Sequence, residues 1–344
     1  MRKIVTIVLL VGGVVATALA QEPYKILFWN LENLFDTVDD PNIRDEEFTP
    51  KGAKAWDEAR YQLKLEHIAR VLTDVAASDQ IYPAVIGFAE VENRTVLEDM
   101  TALQDLAQHA YRIVHYDSPD PRGIDVALIY RPDQFQFEGS CAVKADVPQL
   151  PKFRTRDILT VWGTINAEPF YFMVAHWPSR RGGKEASELK RMALGRQMRR
   201  LADSVRLQNP QTKIVAMGDF NDDPIDSSME EALGAKGDIK RVAVGDLFNP
   251  YYELLRAGMG TLAYEGVWNL FDNVVVSENL ITSTQGGLKL QKPAGSPYYG
   301  AIFCPDYLIQ YMGRYRGYPL RTYEEDAFLA GFSDHLPVYI YLAK

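Results

Sequence analysis

Two cysteines in 344 residues, Cys141 and Cys304, are too few to staple a fold or build a cysteine zinc cluster. They stand 163 positions apart, and the sequence leaves their pairing open. No C-x-x-C, H-E-x-x-H, P-loop or G-x-S-x-G pattern occurs, which argues against structural-zinc, zincin, NTPase and nucleophile-elbow hydrolase chemistry. Excess positive charge is missing too. Setting aside Arg2 and Lys3 of the N-terminal segment leaves 35 basic against 46 acidic residues, a net charge of −11. A protein that merely coats nucleic acid is basic overall, so phosphate chemistry here would need a metal ion or a local basic patch. Internal repeats, low-complexity tracts and Pro/Gly-rich linkers are absent, and nothing divides the chain.

The N-terminal segment "MRKIVTIVLLVGGVVATALA" has two cations, an apolar run, and small residues at Ala18 and Ala20. This is the layout of an export signal cleaved before Gln21, with an uncleaved membrane anchor as the alternative. The organisation expected is a signal peptide over 1–20 and a single domain over 21–344, delivered to the periplasm or the exterior. At 47% hydrophobic, the chain has ample material for a sizeable core.

Apolar runs of strand length recur: "KILFWN", "AVIGFAE", "YRIVHY", "DVALIYR", "ILTVWGTI", "FYFMVAHW", "KIVAMGDF", "NVVVS" and "LPVYIYL". Helical periodicity lies between some of them. Tyr61, Leu65, Ile68, Leu72 and Val75 form one stripe, and Val96, Leu97, Met100 and Leu103 a second. A third helix, polar and basic on one side, is expected over about 185–205. The pattern predicts an α/β fold, and the strand-only stretches around 111–131 and 158–176 predict antiparallel neighbours and so a mixed sheet.

Several runs end in a carboxylate, amide or imidazole: Asn30 and Glu32, Glu90, His176, Asp219 and Asn221. Asp272 and the triplet Ser333-Asp334-His335 precede two further strands. Side chains two apart on a strand share a face, so Asn30 with Glu32, and Asp219 with Asn221, are expected to point into one pocket. Burying so many polar groups without a purpose would be costly. A lone strand-end carboxylate is ordinarily a solvated cap, and Glu92 is read that way. Asp223-Pro224 reads as turn chemistry, and His67, His109 and His115 as surface or packing histidines.

These residues resemble the motifs of the endonuclease/exonuclease/phosphatase family, the deoxyribonuclease-I-like metal-dependent phosphohydrolases. "WNLEN" looks like the opening Asn motif, "GFAEVEN" the metal-ligand Glu motif and "AHWPS" the mid-chain His motif. "GDFND" matches G-D-x-N and "FSDHLPV" the closing S-D-H, all in the family's order over roughly residues 24–343. The resemblance implies a four-layer α/β sandwich of two mixed β-sheets flanked by helices. It implies that Glu90 holds a divalent cation, with Asp334 and Glu32 or Asn30 nearby. Asp219 and Asn221 would orient water and phosphate, and His176 would contact the scissile phosphate. His335 would be the general base or a phosphate-polarising group, its tautomer held by Asp272.

The residue types suit that chemistry. A hard cation prefers carboxylate and amide oxygens, which favours Mg²⁺, or Mn²⁺, over structural zinc. A histidine titrates near neutrality and can take a proton from water. Substrate contacts are expected from Asn30, from Arg122 as a phosphate clamp braced by Asp125, and from Arg180 and Arg181. The last two open a run of eight Lys/Arg against two Glu between Arg180 and Arg200, either a phosphate guide or a solvated helix face. The stretch Tyr298–Tyr323, with Arg314, Arg316 and Arg321, could stack bases or simply pack a long loop. The expected activity is that of a secreted, monomeric nuclease cleaving phosphodiesters by water attack. The alternatives are a phosphatase or phosphodiesterase for a small or lipid phosphoester, and a non-catalytic binding protein on the same scaffold.

Overall fold

The computed structural model describes residues 23–282 and 286–344, so the export signal read in residues 1–20 lies outside them. In chain order the first half gives β1 (Tyr24–Leu34), α1 (Glu58–Ala77), β2 (Val85–Val91), α2 (Arg94–Ala102), α3 (Gln104–Ala107), β3 (Arg112–His115) and β4 (Asp125–Tyr130). Next come β5 (Gln136–Val143), β6 (Ile158–Ile165), β7 (Glu168–His176), α4 (Lys184–Gln208) and β8 (Lys213–Asp219). Short strands β9 (Ala235–Lys236), β10 (Leu247–Phe248), β11 (Leu262–Tyr264) and β12 (Val267–Asn269) precede β13 (Asp272–Ser277). The chain closes through β14 (Lys289–Gln291), β15 (Gly300–Ile302), β16 (Tyr323–Glu324), β17 (Ala327–Phe328) and β18 (Val338–Ala343).

Two seven-stranded sheets result. One runs β14-β18-β1-β2-β4-β3, with β15 also paired to β18; the other runs β5-β6-β7-β8-β13-β10-β9. Both are mixed, as expected: β1/β2 and β7/β8 are parallel, β3/β4 and β6/β7 antiparallel.

Strand alternation explains the layers. On β1, Ile26 and Phe28 face the other sheet, where they meet Val215 and Met217 of β8 and Val274 of β13. The intervening Leu27 and Trp29 face Leu65, Ile68 and Leu72 of α1. Across the molecule Ile214 and Ala216 of β8 and Val275 of β13 pack under Leu194 and Met198 of α4. Central strands are therefore apolar on both faces, which is why they read as unbroken runs. Each fully buried Leu, Ile or Phe contributes about 1.5–3 kcal/mol relative to exposure. The helices start where caps allow: Asp57 accepts from Arg60 N, and Asn93 from Val96 N. Both stripes read from the sequence face the core.

Close packing of β7 on β8 leaves no room at Gly218, where an added Cβ would meet the Ala175 carbonyl oxygen at 2.1 Å. Gly218→Ala is expected to cost about 1–3 kcal/mol through overpacking, read as a lowered urea midpoint at unchanged slope. It should lower activity as well, because the next residue is Asp219.

Candidate active site

The parallel strands β1, β2, β7 and β8 all end at one edge of the sandwich, and β13 and β18 begin there. Backbone register sets the centre: Asp219, last on β8, lies between His176 of β7 and Asp272 of β13. From the opposite sheet, Asn30 Nδ2 donates to Asp219 Oδ2 at 3.0 Å. His176 Nε2 lies 3.5 Å from the same oxygen and His335 Nε2 3.8 Å from it. His335 Nδ1 meets Asp272 Oδ2 at 2.7 Å. Asn30, His176 and His335, the first and last 305 positions apart, thus converge on one carboxylate oxygen.

The S-D-H triplet is fastened to β1. Ser333 Oγ donates to the Asn30 carbonyl at 2.7 Å and accepts from His335 N at 3.0 Å. Trp29 Nε1 donates to the His335 carbonyl at 2.9 Å. Ser333 is thus an anchor, a role the sequence did not reveal.

The expected strand-face pairs are not made by alternation. Glu32, Glu90 and Asn221 have φ of 51°, 60° and 52°, left-handed values that are uncommon for the two glutamates and that asparagine adopts more readily. The register shifts around Asn30–Leu34 and at Ala89/Val91 mark bulges in β1 and β2. The chain therefore turns each side chain by a local kink. Asn221 N returns to Asp219 Oδ1 at 2.9 Å and its Nδ2 to the Trp177 carbonyl at 2.9 Å. Glu32 N returns to Asn30 Oδ1 at 2.9 Å, while its Oε2 accepts from Thr322 N at 2.7 Å.

Electrostatics follow from burial. Desolvation, reinforced by Asp272, lifts the Asp219 carboxyl to about 7 against the pull of His335. Burial works against a charged His335, yet Asp272 and Asp219 outweigh it and hold its pKa well above the ordinary histidine value. Burial, helped by Arg156, Arg122 and His335, keeps His176 well below that value. The surroundings thus push the two imidazoles in opposite directions, favouring the charged form of His335 and the neutral form of His176.

Beside this centre stand three carboxylates, each with its own cation. Glu90 takes Asn33 N at 2.9 Å and lies 3.7 Å from Arg122. Asp334 pairs with Arg321 at 3.0 Å. Glu32 lies 3.9 Å from Lys64 Nζ, and burial followed by the Asp334 charge lifts its carboxyl to about 7.

Four expectations are corrected. Asp125 does not brace Arg122; its oxygens take Ser118 and His115, while Asp120 accepts from Arg122 N and pairs with Arg156. Glu92 is no solvated cap: it is buried, accepts from Asp36 N at 2.7 Å, and desolvation lifts it to about 8. Asp223 does more than turn the chain, since it accepts from Leu270 N and meets Arg180. Arg180 itself is spent on Asp222, Asp223 and Asp226, beside the site but not free for phosphate. Arg181 is exposed. His67 and His109 do pack, on Phe332 and Tyr82, and Cys141 and Cys304 are free thiols.

The model of the Endonuclease/Exonuclease/phosphatase family matches residues 25–344. The chain belongs to this family. Its members are phosphoester hydrolases that use divalent metals, and the four-layer sandwich is their fold. D. rerio TDP2 complexed with single-strand DNA product aligns at 14% identity and TM-score 0.55, covering 94% of this chain and 100% of the other. The human nocturnin catalytic domain with bound sulfate aligns at 16% and 0.51, covering 94% and 96%. A mannosyl-6-phosphatase of Bacteroides thetaiotaomicron aligns at 16% and 0.51, covering 93% and 100%. Comparison with curated proteins returns no match.

The residues present fit a family metal. Among the described residues no hydrogen-bond donor reaches Glu90 Oε1 or Asp334 Oδ1; their nearest imidazole nitrogens, on His176 and His335, are 3.9 Å away. Both are hard oxygen donors of the kind Mg²⁺ and Mn²⁺ prefer. The tighter group Asp219, Asp272 and His335, whose ligand atoms lie within 4.8 Å of one another, is already knit by the 2.7 Å His335–Asp272 bond. That bond suits proton chemistry.

Proposed function

We propose that this protein is an exported, divalent-metal-dependent phosphodiester hydrolase acting on nucleic acid. The observation that carries the reading is the convergence of Asn30, His176 and the Asp272-held His335 on Asp219 Oδ2. A divalent cation held by Glu90 and Asp334 would neutralise charge developing on the phosphate. Asp219, with its raised carboxyl pKa, can orient a water and take its proton, while Asn30 and Asn221 fix its two oxygens. The imidazolium of His335 then polarises a phosphate oxygen, the second of the two roles foreseen for it, and neutral His176 donates to another.

Nucleic acid is favoured by what lines the mouth. Arg122 and Arg321 stand beside Glu90 and Asp334, and Arg321 and Arg314 both lie against the Tyr315 ring, at 5.3 and 5.4 Å. Tyr311 is exposed on the same loop. Cations with open aromatic faces suit a strand of phosphates and bases.

Mature protein incubated with plasmid, single-stranded DNA, RNA and a phosphomonoester panel in Mg²⁺ tests this. Cleaved nucleic acid is the expected result; intact nucleic acid beside a hydrolysed monoester would overturn it. EDTA is expected to abolish turnover, with recovery on adding Mg²⁺ or Mn²⁺. Export is checked by the N-terminus of the secreted protein, expected at Gln21.

A further inference from the structure

One buried cation belongs to neither the motifs nor the mechanism above. Lys64 sits on the core-facing side of α1, between Tyr61 and Ile68, with 1% of its side chain exposed. Its Nζ donates to Thr322 Oγ1 at 2.7 Å and to the Phe332 carbonyl at 2.6 Å, and lies 3.9 Å from Glu32 Oε2. Burial opposes its charge, and the carboxylates that work against that burial are, largest first, Glu32, Asp334 and Glu90, the three the sequence offered as metal ligands.

The three carboxylate–cation pairs differ in exposure. The side chains of Arg122 and Arg321 are 45% and 31% exposed, so each can swing from its carboxylate to a substrate phosphate when a metal arrives. Lys64 cannot follow. It is held by two acceptors on the loop that carries Arg321 and Asp334, and it sits under the buried Glu32, whose Oε2 is already taken by Thr322 N. Releasing Glu32 to a metal would leave an ammonium buried beside the new cation, two like charges in a desolvated place.

We infer that Lys64 is a positioning residue that stands in for a second metal ion: it reserves Glu32 for itself and limits the centre to one divalent cation, held by Glu90 and Asp334. This rests on the metal-dependent reading above and fixes its stoichiometry. Glu32 then positions the 320–334 loop and does not ligate.

Mn²⁺ titrated at pH 8 and followed by calorimetry and by electron paramagnetic resonance tests the inference without substrate, counting only ions that Glu90→Gln removes. The native protein is expected to bind one such ion. Glu32→Gln should leave its affinity within about 2-fold, whereas Glu90→Gln should weaken it by about 10-fold or more. Lys64→Met should admit a second ion, seen as an exchange-coupled Mn²⁺ pair, and Lys64→Arg should restore one. Two coupled ions in the native protein, or a folded Lys64→Met that still holds one, would overturn the inference. So would Glu32→Gln weakening binding as much as Glu90→Gln, an arm that stands even if Lys64→Met fails to fold. A native protein with no Glu90-dependent ion would overturn the metal-dependent reading first, and the two failures are thereby distinguished.

Discussion

Replacing His335 with glutamine is expected to lower kcat by about 10²–10⁴-fold at nearly unchanged thermal midpoint. Glutamine keeps a donor for Asp272 but cannot carry the charge that the imidazole holds. Alanine would confound the measurement, because Asp272 is fully buried and its Oδ1 already lacks a partner among the described residues; losing His335 would strand the whole carboxylate. Asp272→Asn should cost about 10²-fold or more in kcat with little change in KM, since it releases the ring that the 2.7 Å bond orients. Steady-state rates beside thermal melts would decide. Full activity in a folded His335→Gln would remove His335 from the chemistry and leave the Asp219 cluster without its cation.

His335 was also among the most legible residues in the sequence, and the reason is physical. Parallel strands must end together at one edge, so a carboxylate or imidazole closing an apolar run marks that edge without any knowledge of contacts. All nine apolar runs became strands, because central strands covered on both faces need unbroken hydrophobic sequence. Of the strands that escaped notice the longest, β5, is an edge strand reading QFEGSCAV, nowhere buried and without apolar continuity, and the others, β9 to β12 and β14 to β17, are only two or three residues long. What could not be read was local backbone and distant pairing. The left-handed turns at Glu32 and Glu90 fall on glutamates, with no glycine or asparagine to announce them. Ser333 finds the Asn30 carbonyl across 303 positions, and Lys64 finds Thr322 across 258. A lysine on an otherwise apolar helix stripe was the available signal for Lys64, since a buried charge requires a partner. Arg156 offered none, yet it joins Asp120 to the Trp177 carbonyl and so supports both Arg122 and Asn221.

Arg191→Met should destabilise the protein by about 3–5 kcal/mol, visible as a large fall in the urea midpoint. Arg191 belongs to the basic run after the His176 motif, where phosphate guidance and a solvated face competed as readings. It does neither. The side chain is fully buried, its Nε lies 2.6 Å from Asp222 Oδ2, and its Nη1 and Nη2 reach Ser187 Oγ and the Lys184 carbonyl. Methionine fills the volume but strips Asp222 of one of its two arginines, leaving Arg180 on the other oxygen. Because Asp222 follows Asn221 directly, loss of this pair should also loosen the active-site edge, so activity should fall with stability. Arg181, Arg196 and Arg200 are exposed on the same run, and no ion pair engages them among the described residues. Reversing their charge should leave the midpoint unchanged and, if nucleic acid crosses this face, raise KM and flatten its salt dependence by about one counterion for each phosphate no longer neutralised. The basic run therefore divides by burial: its inner arginines, Arg180 and Arg191, hold Asp222 at the edge of the candidate site, and Arg181, Arg196 and Arg200 are left exposed.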